Sequence, residues 1–79
     1  MSTVIAEVFF RAKNWNLEAV EEAAQRLALM VDGTVDSIYE AGKEIEVEIL
    51  SDEDLEEVEE TLSDYIEGLS GVSLNVTRR

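Results

Sequence analysis

Residues 43–50 read KEIEVEIL, with Glu44, Glu46 and Glu48 alternating strictly with Ile45, Val47 and Ile49. A period of two belongs to a strand with one face buried and one face in water. The stretch therefore predicts a strand over 43–50 with an apolar inner side and a row of carboxylates outside. Its neighbours fix its place. Upstream, Thr34–Ala41 predicts a second strand, in which the spacing of Val35 and Ile38 calls for a bulge or a late start. Gly42 between the two makes a tight turn, so 34–50 reads as a hairpin. Downstream, SDED at 51–54 places Ser51 as helix N-cap and Asp54 as its partner in a variant capping box. Leu50 and Leu55 then pair as a staple across that start. Leu55, Val58, Leu62, Tyr65, Ile66 and Leu69 form a helical apolar stripe, which Gly68 and Gly71 end. Val72–Thr77 closes the chain as a strand with Val72, Leu74 and Val76 inward.

The first half carries the same order. Thr3–Ala12 predicts a strand with Val4, Ala6, Val8 and Phe10 on one face and Ile5, Glu7, Phe9 and Arg11 on the other. The KNWN stretch at 13–16 breaks the pattern; Asn16 is a good N-cap and Trp15 stands at the staple position against Val20. A helix follows from Leu17 to about Val31, with Val20, Ala23, Ala24, Leu27 and Val31 as its stripe. Gly33 is expected to stop it by taking the left-handed conformation.

The order is β-α-β-β-α-β over residues 1–79, read as a single α+β domain. Two β-α-β units joined by a hairpin give the split β-α-β arrangement. This is the ferredoxin-like fold: a four-stranded antiparallel sheet in order 4-1-3-2 with two helices on one face. The strands at 3–12 and 43–50 are then central, and their outward residues make the middle of an uncovered sheet face. Ile5, Glu7, Phe9, Glu44, Glu46 and Glu48 are the candidate interaction residues there. Ser73, Asn75, Thr77 and Tyr39 flank them.

Composition narrows the chemistry. Against 19 acidic residues stand 6 basic ones, a net charge of -13. Such a surface repels phosphate backbones and anionic membranes, and it attracts basic partners or suits high salt. RNA-reading domains of this topology need stacking aromatics and basic neighbours on the open face; Phe9 faces three glutamates instead. No nucleic acid and no membrane are expected as partners. The chain has no Cys, no His and no Pro. There is thus no His or Cys to hold a transition metal, and three glutamates spaced along a strand are too spread for tight chelation of a hard cation. Paired-carboxylate catalysis needs one buried acid beside an ionised one, whereas these glutamates read as solvated. No catalytic residue, cofactor or metal is expected. With no leader and no long apolar run visible, the expectation is a soluble, cytoplasmic monomer.

In length, in element order and in a Gly42–Lys43 hairpin before the alternating Ile45, Val47 and Ile49, the chain resembles the small subunit of formylglycinamidine ribonucleotide synthetase. That family is a partner protein of the purine pathway. The Asn-Pro usual near its last strand has no counterpart here. Two readings of function follow. In the first the chain has no catalytic function and is a stably folded acidic ferredoxin-like scaffold, computationally designed or redesigned without an evolved ligand. Agreement among caps, staples, stripes and turns motivates this. The second is an acidic interaction subunit that binds a basic protein through its open sheet face or its acidic second helix, nucleic-acid mimicry included.

Overall fold

A computed structural model of the chain describes residues 3–79. The elements in chain order are β1 (Val4–Arg11), α1 (Leu17–Met30), β2 (Thr34–Ala41), β3 (Glu44–Ser51), α2 (Leu55–Ile66) and β4 (Val72–Arg78). All strand pairs are antiparallel, and the sheet runs β2-β3-β1-β4. Read from the other edge, this is the expected order 4-1-3-2, and the fold is ferredoxin-like.

Period-two alternation does the positioning. Val4, Ala6, Val8 and Phe10 of β1 and Ile45, Val47 and Ile49 of β3 are buried on the inner face. The helices cover that face with Val20, Ala23, Ala24, Leu27 and Ala28 of α1, Val31 just beyond it, and Val58 and Leu62 of α2. Val35, Ile38, Val72, Leu74 and Val76 from the outer strands pack around this core. The expected bulge lies between Val35 and Ser37, so that Asp36 has no partner across the ladder. Gly42 takes a φ of 64° as the first residue of the two-residue turn joining Ala41 to Glu44. That conformation is costly for a side chain bearing a Cβ.

The start of α1 follows the sequence. Asn16 caps it, its side-chain oxygen accepting from the Ala19 N–H at 2.8 Å. Trp15 packs edge-on to Phe10, with ring centroids 5.0 Å apart. Its indole N–H donates to the Ser70 carbonyl at 2.7 Å.

Three local expectations are corrected. Gly33 does not take the left-handed conformation; Asp32 does, with φ 50°. The helix ends one position early, so its terminal motif falls on Asp32, with Gly33 N–H bonded to Ala28 O and Asp32 N–H to Leu29 O. Gly33 is needed for a different reason: a Cβ there would overlap the Leu50 carbonyl oxygen. Ser51 does not cap α2 either. Pairing of Val4 with Ser51 draws this residue into β3, where it is only 4% exposed. Its hydroxyl donates to the Val31 carbonyl at 2.7 Å and accepts from the Glu53 N–H at 3.1 Å. The cap is Asp54, with no side-chain bond to the helix. Finally, Leu50 cannot staple to Leu55, because the alternation that sends Ile49 inward sends Leu50 to the opposite face of the sheet, across from Ile5.

Candidate functional site

The open face is a grid set by register. Ile5 lies between Leu50 and Thr77, and Glu7 lies between Glu48 and Asn75. Phe9 lies between Glu46 and Ser73, and Arg11 is across from Glu44. On the far side of β3, Thr34, Ser37, Tyr39 and Ala41 face Leu50, Glu48, Glu46 and Glu44. Ile5, Phe9 and Leu50 are half-buried there although no helix covers them. The face thus combines an interrupted apolar strip with carboxylates set into it.

The structure brings Glu7, Glu46 and Glu48 together with Ile5 and Phe9, as the alternation predicts. Glu44 stands apart at the turn, exposed and opposite Arg11. Two members were not legible at first. Leu50 stands in the sequence at a staple position before α2, although register counting from the Gly42 turn places it across from Ile5. Asp36 sits in the bulge, and an alternation pattern does not say which residue of a bulge turns outward.

Like charges directly opposite each other on a sheet are destabilising. Glu7 and Glu48 are such a pair. The Glu48 carboxyl is held above the usual carboxylate range, first by partial burial. The nearby Asp36 carboxylate and a hydrogen bond to it follow, and then the charges of Glu7 and Glu46. The Tyr39 hydroxyl is likewise pushed up, first by its hydrogen bond to Glu46 and then by the charge of that carboxylate. The Asn75 amide donates to Glu7 at 3.2 Å and holds its carboxylate over β1. Among the described residues the one ion pair is Arg26–Glu22, on the surface of α1. No cation therefore neutralises the open-face carboxylates. Nor do three acids anywhere in the described residues gather closely enough to enclose a metal ion.

At the end of the sheet the charge reverses. A cleft of about 740 Å³ is lined by Arg11, Ala12, Lys13, Gly42, Lys43 and Glu44. These cations line the rim at the end of the sheet, and none of them pairs with the carboxylates in the middle of the face.

No family model matches the chain and no curated protein matches it. Neither comparison supports the likeness to the synthetase small subunit. Among the described residues no helix is long and apolar enough to cross a membrane.

Proposed function

We propose that this chain is a non-catalytic protein-interaction module whose open sheet face receives a basic partner. One observation carries the reading: Glu7, Glu46, Glu48 and Asp36 are crowded around a half-buried apolar strip with no cation among them. Crowding of this kind raises the energy of the free protein. A lysine or arginine laid over Glu7 and Glu48 relieves it, while the partner's aliphatic stems cover Ile5, Phe9 and Leu50. Charge steers the encounter, so association weakens as salt rises.

A second reading keeps support from the same row of acids. In a scaffold composed to fold without a ligand, carboxylates on the uncovered face would stop two sheets from stacking. One titration separates the two. An oligolysine peptide added at low salt is followed by amide chemical shifts. The interaction reading expects shifts centred on Glu7, Phe9, Glu46 and Glu48, lost when those three glutamates become glutamine. Shifts spread evenly over the acids of α2, or none at all, would leave the scaffold reading standing and overturn the first.

A further inference from the structure

The two edges of the sheet are not alike. β2 is broken by the bulge between Val35 and Ser37 and carries Asp36 and Glu40. Breaks and charges of this kind are how native edges avoid pairing with another chain. β4 has neither. Its register with β1 is continuous from Val72 to Arg78, with no charged side chain before Arg78.

The hydrogen bonding says which groups of β4 are free. Arg11 N–H bonds to Gly71 O, and Arg79 N–H bonds to Thr3 O. In an antiparallel ladder the bonded residues alternate. Gly71, Ser73, Asn75, Thr77 and Arg79 thus bond to β1, while Val72, Leu74, Val76 and Arg78 turn their N–H and C=O groups out into the open edge.

The flanks of that edge define what fits. α2 packs on β4 and β1, whereas α1 lies over β2 and β3. Tyr65 and Leu69 share a groove with Trp15, Ala19, Ala23 and Arg26, so this flank of α2 faces α1. With Leu62 pointing at the sheet, Tyr65 lies about 60° to one side and Glu59 about 60° to the other. Glu59 and Ile66 therefore overhang the free edge of β4. On the open side β4 shows only Ser73, Asn75 and Thr77. Glu7 lies two strand spacings beyond an added strand, about 10 Å away and within the joint reach of a lysine and a glutamate.

We propose that β4 accepts an extended basic peptide as a fifth strand. Backbone groups of Leu74 and Val76 hold it, apolar side chains go beneath Glu59 and Ile66, and a lysine or arginine beside Asn75 reaches Glu7. Arg11 at one end of the edge and Arg78 at the other repel further cations, so the charge belongs at the centre. This rests on the open face being a cation-accepting surface.

The probes are two short synthetic peptides alternating valine with polar residues, one with lysine and one with glutamate at the centre. Amide hydrogen exchange of the whole chain is the readout. In the free protein the Leu74 and Val76 amides are expected to exchange fast, and those of Ser73, Asn75 and Thr77 slowly. The lysine peptide is expected to protect Leu74 and Val76 and to bind about tenfold more tightly than the glutamate peptide, about 1.4 kcal/mol. Leu74→Pro, which removes an outward N–H but none of the N–H groups of the β1 ladder, is expected to abolish the protection of Val76, with slow exchange of Asn75 and Thr77 showing that the variant is folded. Binding of the lysine peptide with no protection in β4 would sink the added strand and leave the open-face reading intact. No binding of either peptide would sink both. Protection that grows with protein concentration, without peptide, would make the occupant a second copy and overturn the proposal.

Discussion

Replacing Glu48 by glutamine should make the protein more stable, because it removes a charge from the most crowded part of the open face. Glu7 stands directly across from Glu48, and Asp36 and Glu46 are the other neighbours that hold its proton on. A cross-strand pair of this kind is worth roughly 0.2–1 kcal/mol, and the other two neighbours add smaller amounts. The relief is about 1 kcal/mol, which for a chain of this size raises the melting temperature by roughly 4–8 °C. Its dependence on pH has a definite sign. The folded state holds the Glu48 proton more tightly than the unfolded chain does. The destabilisation is therefore full at neutral pH and fades as pH falls through the raised folded value towards the ordinary glutamate range. Thermal melts of both proteins at ~10 mM salt, at pH 7 and near pH 4, are the assay. Glu48→Gln should melt higher at pH 7, and the gap should close near pH 4. Equal melting at pH 7, or a gap that persists unchanged in acid, would refute the electrostatic reasoning.

Other outcomes follow from particular contacts. Ser51→Ala removes the buried hydroxyl that joins the Val31 carbonyl to the Glu53 N–H. Chemical denaturation should show a loss of about 1–3 kcal/mol, where a capping role at an exposed helix end would give less. Gly33→Ala forces a methyl into the Leu50 carbonyl and should cost about 1–3 kcal/mol by the same assay, with the largest amide shifts at Leu50 and Ser51. The net charge of -13 predicts a higher melting temperature at ~1 M salt than at ~10 mM. Equal values would mean that the charges are too dispersed to matter.

What was legible in the sequence was whatever depends on period. The alternation of β1 and β3 and the stripes of both helices fixed the element order, the sheet order and five of the acids and apolar residues at the heart of the face. What was not legible depends on where one element stops competing with the next. SDED is a sound capping signal, yet the ladder to Val4 claims Ser51 for the sheet and the helix starts at Leu55. Leu50 beside Leu55 looks like a staple until register assigns it to the opposite face. Asp32 outranks Gly33 at the end of α1 because the terminal motif counts from the last helical residue and not from the nearest glycine. Asp36 joins the open face only through the geometry of the bulge.

The bond between the Trp15 indole and the Ser70 carbonyl joins positions 55 apart in sequence. It clasps the loop ahead of α1 to the turn ahead of β4, so it closes only when the two β-α-β halves have come together. The chain has one tryptophan. Its fluorescence is thus a built-in reporter of long-range closure, separate from the helical signal that local segments give in circular dichroism. A refolding trace in which the helical signal appears before the shift in emission would time the docking of the last strand directly, with no label attached.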